Sequence, residues 1–399
     1  MAENVLVVHG GGPTAVINSS LYGVLEEAKA SGKIDKVYGA MGGSEAIFKE
    51  RFLDLLQFPE EKLKLLLETP ATAIGSSRYA LEEEDYKAMP AIFKKYNIKY
   101  VLLNGGNGTM DTCGKIYHAC QEYGINVVGI PKTIDNDIAI TDHTPGYGSA
   151  ARYIAATTAE VGVDVKSLPI HVCVIEAMGR NAGWLTGATA LAKTEECEGP
   201  DLIYLPELPF DLEKCLKKVK ELLKKKNSIV IAVSEGIKLA DGRYVCELSG
   251  GGEYVDAFGH KQLQGTAAYL AGFMGAEIGC KTRSVEFSTL QRSASHMASR
   301  VDVNEAFMVG GAAVKAADEG DTGKMVVIDR ISDDPYMSAA GIYDVHRIAN
   351  NEKLVPRNWI NKEGNYVTEE FLNYIEPLIQ GDYQPFMVNG LPQHLVLKR

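Results

Sequence analysis

The hydrophobic positions of this 399-residue chain gather in short runs separated by longer amphipathic or polar stretches. The runs at 5–8, 100–103, 127–130, 171–175, 228–234 and 324–328 are rich in Val and Ile and end at turn residues. Such runs read as strands buried on both faces, the pattern of a parallel sheet. Helices are expected between them, at about 110–123, in an Ala-rich stretch within 146–163, and at 211–226, 260–275 and 296–318. The segment 59–95 reads as helix-rich and charged, the segment 243–254 as a hairpin or flexible loop, and the tail from 350 as surface wrapping. Strand–helix alternation predicts an α/β fold built from two parallel-sheet units.

Composition narrows the function classes. With 46% hydrophobic and 23% charged residues the chain can bury a core. A net charge of −11 with no basic stripe argues against nucleic acid as a partner. Seven cysteines, an odd number without a Cys-x-x-Cys pair, argue against a disulfide framework or a zinc site and suggest a reducing compartment. No run approaches the apolar length of a membrane span, and no basic leader precedes the first strand. A cytoplasmic protein without membrane contact is expected.

The candidate chemistry sits where strands end, the place where open α/β sheets bind ligands. Past the run at 127–130 come Pro131, Lys132, Thr133, Asp135 and Asp137. In an extended segment the two carboxylates would share one side, with Asn136 on the other. Two glycine-rich turns, 10–12 and 105–109, each follow a strand and precede a helix, an arrangement that offers backbone N–H groups to phosphate. Neither is a dinucleotide fingerprint or a P-loop. Arginines 78, 180, 283 and 292 and Glu235 lie in loops or at strand ends. Glycine turns and a lysine suit a polyphosphate donor, arginines suit a phosphorylated acceptor, and a carboxylate can deprotonate its hydroxyl. The set points to phosphoryl transfer.

Four stretches, Pro131-Lys-Thr-Ile-Asp-Asn-Asp137, Met178-Gly-Arg-Asn-Ala-Gly-Trp184, Gly105-Gly-Asn-Gly-Thr109 and Leu290-Gln-Arg292, resemble the 6-phosphofructokinase family. The resemblance runs from Val5 to at least Val327. It implies two Rossmann-like domains with the active site in the cleft between them. The donor domain would comprise 1–145 and about 289–335. The fructose 6-phosphate domain would comprise about 146–288 and the segment 336–399. The resemblance further implies Asp135 as the base on the sugar 1-hydroxyl, with Lys132 on the transferring phosphoryl group and Thr133 beside them. Met178, Gly179, Arg180, Glu235, Arg292 and Arg283, the last from a neighbouring subunit, would bind the sugar phosphate. Gly12, Arg78, Gly106, Asn107, Gly108 and Thr109 would line the donor side, with Mg²⁺ held near Asn107 and Asp137. The family's members are commonly homodimers or homotetramers.

The chain departs from the family's pattern at several positions. Asn107 replaces an aspartate that helps hold the metal, Thr289 a histidine, and His171 a sugar-phosphate arginine. Tyr22 and Glu26 stand where regulated bacterial enzymes carry effector-binding arginines, so little control by nucleotide is expected. Pyrophosphate users usually carry aspartate at position 108 and have lysine at position 132, where many ATP users have glycine, so Gly108 with Lys132 is a hybrid. Gly108 leaves room for an α-phosphate, and the expected donor is therefore ATP. Pyrophosphate is the alternative, favoured by the opening Gly-Gly-Gly-Pro-Thr-Ala-Val-Ile-Asn. A non-catalytic sugar-phosphate-binding subunit is a further reading, and kinases of the NAD or diacylglycerol type are disfavoured because they are not expected to carry both long motifs.

Overall fold

The computed structural model describes residues 3–397 except 78, 196, 250–262, 264 and 350. In chain order its principal strands are β1 (Glu3–His9), β2 (Ile34–Ala40), β3 (Phe52–Asp54), β4 (Ile98–Gly105), β5 (Asn126–Pro131), β6 (Val172–Ala177), β7 (Leu202–Tyr204), β8 (Ile229–Ser234), β9 (Thr282–Glu286), β10 (Lys324–Asp333) and β11 (Tyr336–Asp344). They form two separate sheets in two compact units. The first unit comprises 1–149, 292–352 and 380–399, and the second 150–291 and 353–379.

The first sheet has the order β11-β10-β5-β4-β1-β2-β3. Its interior pairings are parallel, and antiparallel β3 and β11 close the two edges. Alternate side chains feed two cores, because successive residues of a strand face opposite sides. Val5, Val7, Leu102, Val128 and Ile328 enter one core, while Leu6, Val8, Val101, Val127 and Val327 enter the other. On the first face the helices Ile17–Ser31 and Arg300–Asp318 cross in near backbone contact. A Cβ on Gly23 would lie 2.0 Å from the Phe307 carbonyl oxygen, and one on Gly310 would lie 2.0 Å from that of Ser20. Only glycine permits that approach. The second sheet, β7-β8-β6-β9, is wholly parallel and packs Val172, Val174, Ile229, Ile231 and Val233 against the helix Thr266–Ile278.

Several elements differ from the pattern reading. The helix expected from Met110 begins at Asn107, which puts residues 107–109 in its first turn. The Lys-rich helix is shorter, Leu212–Leu222. Strands β2, β3, β7, β9 and β11 carry too few consecutive apolar residues to stand out, since they are short or half exposed. Within 243–254, Tyr244 bridges Lys238 and 245–249 form a 3₁₀ turn; 250–254 lie outside the described residues.

The tail is not surface wrapping. Trp359, Phe371 and Tyr374 enclose Trp184, with Phe371 stacked on it at 5.9 Å and 22°. Leu395 and Leu397 complete the first unit's core. Residues 336–352 and 380–397 therefore count with the first unit, since β11 pairs with β10 and the last residues pack into that core.

Candidate active site

In the first unit the candidate side chains converge where β1, β4 and β5 end. Thr109, in the first turn of the helix Asn107–Cys120, wedges between the two glycine turns. A Cβ on Gly10 would lie 2.3 Å from Thr109 Oγ1, and one on Gly105 only 2.1 Å. The glycines thus let the two turns close on each other. Gly106 abuts the Lys132 carbonyl, while nothing lies within 4 Å of a Cβ built on Gly108. The helix start leaves the Asn107 and Gly108 N–H groups for an anion, since those of Thr109 and Met110 already bond the Gly106 carbonyl.

Lys132 is buried, 2% exposed, and its Nζ donates to the Gly12 carbonyl at 2.5 Å. The Arg292 guanidinium lies against Gly12 as well, with Nη1 3.1 Å from where a Cβ would stand. Arg292 therefore groups with the glycine loop and Lys132. Thr133 Oγ1 accepts the Asp135 N–H at 3.1 Å and stands 3.5 Å from its carboxylate. Asn107 Nδ2 donates to both the carbonyl and the Oδ2 of Asp137, at 3.3 Å each. Arg78 lies outside the described residues.

The electrostatics follow from burial. Desolvation pushes the Lys132 ammonium down to about 8, with Arg292 adding to the effect and Asp135 and Asp137 opposing it. The Asp135 carboxyl is raised, chiefly by burial and against the pull of Lys132. Asp137 rises to about 7 through burial, Asp135 and Glu352. Lys132 and Asp137 are thereby brought near neutrality, and Asp135 is shifted in the direction that favours its taking up a proton, as acid–base chemistry requires.

In the second unit, Met178, Gly179 and Arg180 follow the end of β6, and Glu235 follows the end of β8. Ser234 Oγ donates to the Gly179 carbonyl at 2.5 Å, and the Met178 N–H donates to Gln291 Oε1 at 3.1 Å. A Cβ on Gly236 would lie 1.9 Å from the Arg180 carbonyl oxygen, so the two loops touch. Glu207 secures the same loop by accepting the Gly183 N–H at 2.8 Å and the Val355 N–H at 3.0 Å.

Arg283 is not assembled with them. It is exposed on the edge strand β9, in register with Cys173, so it sits about 13 Å back from Ala177 along the strand direction. His171, just before β6, is exposed at that same opposite end. Thr289 is exposed too.

Sequence reasoning passed over two groups and misplaced a third. His9, read only as the residue before a glycine turn, is fully buried with Nδ1 2.7 Å from Thr72 Oγ1. Burial first, then Lys132, hold its imidazole down to about 3, hence neutral. Glu352, distant in sequence, bridges to Ile138 beside the carboxylates. Asn136 is not in an extended segment: its φ is +54°, and its Oδ1 accepts the Thr144 N–H at 3.1 Å. The separation of its side chain from those of the aspartates therefore comes from a left-handed turn. The Asp-Asn-Asp triplet itself was the available signal, since Asn tolerates that backbone best among non-glycine residues.

The donor set fits a divalent cation. Because Asn107 Nδ2 faces two acceptors on Asp137, its Oδ1 is oriented the other way, and that oxygen is buried with no hydrogen-bond partner among the described residues. A buried amide oxygen without a donor is a hard ligand of the kind Mg²⁺ accepts, as is a carboxylate oxygen. Among the described residues no group of three or more His, Cys, Asp or Glu is placed to hold a metal. Phosphate oxygens and water would then supply the remaining ligands.

Residues 4–317 match the family model described as phosphofructokinase. The chain belongs to that family. It is 39% identical, over 98% of its length and 95% of the relative's, to a pyrophosphate--fructose 6-phosphate 1-phosphotransferase of Halomonas elongata. A protein of the same name from Xanthomonas campestris is 38% identical over 99% of this chain and 96% of its own. The solved structure of a pyrophosphate-dependent phosphofructokinase from Nitrosospira multiformis matches with a TM-score of 0.90 at 37% identity, covering 99% of this chain and 96% of that one. The fold is thus the phosphofructokinase fold, two α/β units with parallel sheets.

These likenesses overturn the expectation of ATP as donor. The error lay in reading Gly108 as a preference. Open space beside it removes one obstacle to a nucleotide, but an absent obstacle contributes no binding free energy. The lysine half of the hybrid carries the built interaction, a buried ammonium fixed on the glycine loop. Among the described residues no helix is long and apolar enough to cross a membrane.

Proposed function

We propose that this phosphofructokinase transfers a phosphoryl group from pyrophosphate to the 1-hydroxyl of fructose 6-phosphate, giving fructose 1,6-bisphosphate and phosphate. Full-length likeness to pyrophosphate-dependent relatives carries the donor assignment. The buried group of Lys132, Asp135 and Asp137 behind the glycine turns supports the chemistry.

Asp135 accepts the proton of the 1-hydroxyl as its oxygen attacks phosphorus. Lys132, anchored on Gly12, neutralises charge on the transferring group, and the turns at 11–12 and 107–108 direct N–H groups at the donor. Arg180, with Met178 and Gly179, receives the sugar phosphate, and Glu235 takes sugar hydroxyls. Arg292 sits between these roles, on the first unit beside Gly12. Asn107 and Asp137 would hold Mg²⁺, which when bound screens the phosphate charge. Arg283 and His171, exposed away from Arg180, would serve the site of a neighbouring copy in a homo-oligomer.

The test is the initial rate with fructose 6-phosphate and Mg²⁺, run in parallel with pyrophosphate and with ATP. Pyrophosphate should support turnover in both directions, and chelation of Mg²⁺ should abolish it. A clear ATP preference would refute the donor assignment. Silence with both donors, with fructose 6-phosphate still bound, would favour the binding-subunit reading.

A further inference from the structure

We propose that Asn136 is a positioning residue that fixes the orientation of Asp135 and Asp137, an inference that rests on the catalytic reading above. Asn136 is fully buried and has a left-handed backbone, φ +54°. Most residues pay for that conformation through a clash of Cβ with the backbone, and only glycine, asparagine and aspartate adopt it readily. The turn is followed directly by Asp137, whose carbonyl and carboxylate both meet Asn107 Nδ2. A residue that relaxed to a right-handed or extended φ would rotate the 136–137 peptide and carry Asp137 off Asn107.

The second contribution is the side-chain anchor. Asn136 Oδ1 accepts the Thr144 N–H at 3.1 Å, and Thr144 is itself tied to the catalytic loop. Its Oγ1 donates to the Thr133 carbonyl at 2.8 Å, and the Thr133 N–H donates to the Pro145 carbonyl at 3.3 Å. The segment carrying Thr144 is a firm template. Asp302, fully buried, accepts the Gly146 N–H at 2.8 Å and the Ser149 N–H at 2.9 Å. His143 Nε2 reaches Glu305 at 2.6 Å, and the Ile328 N–H reaches Thr141 Oγ1 at 2.9 Å. Asn136 thus transmits the placement of a hydrogen-bonded frame to two carboxylates that flank it in sequence. The charged groups facing that pair are Lys132, Arg292 and Glu352.

The two contributions separate by substitution. Asn136→Gly keeps the left-handed turn and loses the anchor. Asn136→Ala loses both, and Asn136→Asp keeps both while adding a carboxyl. With pyrophosphate and fructose 6-phosphate, Asn136→Gly should lower kcat at least tenfold with both KM values within about threefold of wild type. Asn136→Asp should recover more of kcat than Asn136→Gly at pH 8 and above, with its acid limb displaced upward by the added carboxyl. Asn136→Ala should fall below Asn136→Gly and also melt lower.

A readout independent of turnover is amide hydrogen exchange over 133–145, followed by mass spectrometry in wild type and in Asn136→Gly. The segment holding the Thr144 N–H should lose protection at least tenfold in Asn136→Gly, where no side-chain oxygen accepts it. Wild-type kcat together with unchanged exchange in Asn136→Gly would overturn the inference. If the wild-type enzyme were silent with either donor, the functional reading would fail by itself, and the exchange would still decide whether Asn136 anchors the loop.

Discussion

Replacing His143 by glutamine should remove a pH dependence from the stability of the first unit. The imidazole is 1% exposed between Asp142, 2.8 Å from Nδ1, and Glu305, 2.6 Å from Nε2. Burial alone would lower its proton affinity, but Glu305 and Asp142 outweigh that and hold it up at about 9. A histidine whose folded value lies above the unfolded 6.5 contributes stability below pH 6.5 and loses it as pH rises through about 9. At about 1.4 kcal/mol per tenfold in proton affinity, the contribution is about 3 kcal/mol. Breaking a buried ion pair by removing one partner costs about 3–5 kcal/mol, an independent figure of the same size. Urea unfolding at pH 6, 7.5 and 9.5 measures it. Both tryptophans, Trp184 and Trp359, lie in the second unit, so circular dichroism is the signal to follow. The margin of wild type over His143→Gln should be about 3 kcal/mol at pH 6 and shrink to near zero at pH 9.5. Parallel curves for the two proteins would refute the assignment of the charge to His143.

Three further substitutions test the site. Asp135→Ser should lower kcat by about 10²–10⁴ while the KM for fructose 6-phosphate changes little, and near-normal turnover would remove Asp135 from the mechanism. Lys132→Met should lower kcat with pyrophosphate by about 10²–10³, as loss of a charge-stabilising donor does. In the wild-type enzyme kcat/KM for pyrophosphate should fall as pH rises through about 8, where the buried ammonium loses its proton; a flat profile to pH 9.5 counts against it. Gly108→Asp meets open space, so its pyrophosphate kinetics should stay within about threefold of wild type; a large loss would mean that position 108 contacts the donor closely.

The parts of the fold legible in the sequence are those whose cause is local. β1, β4, β5, β6 and β8 are runs buried on both faces, so hydrophobicity alone marks them. β9 and β11 are half exposed, and nothing local announces that they pair with β6 and β10. The tail illustrates the same limit. Its aromatic residues look like scattered surface positions until Trp184, some 175 residues earlier, is seen between them. In the candidate site, the proximity of Lys132, Asp135 and Asp137 was readable because they follow one strand end. His9, Glu352 and the Thr144 anchor of Asn136 were not, because each acquires its role from a contact between distant segments.

The same contacts explain why these charges stand poised rather than paired off. Lys132 spends one hydrogen bond on the Gly12 carbonyl, a neutral acceptor, and not on either aspartate. Its ammonium and the two carboxylates are therefore all desolvated without full compensation, which is why Lys132 is depressed while Asp135 and Asp137 are raised. An uncompensated cation of this kind is stabilised when an anionic phosphate arrives, and a cation bound at Asn107 and Asp137 would likewise favour the charged carboxylate. Ligand binding would then restore the ionisation that burial disfavours. That coupling needs a lysine held by neutral backbone, and the Gly12 carbonyl of the glycine loop supplies it.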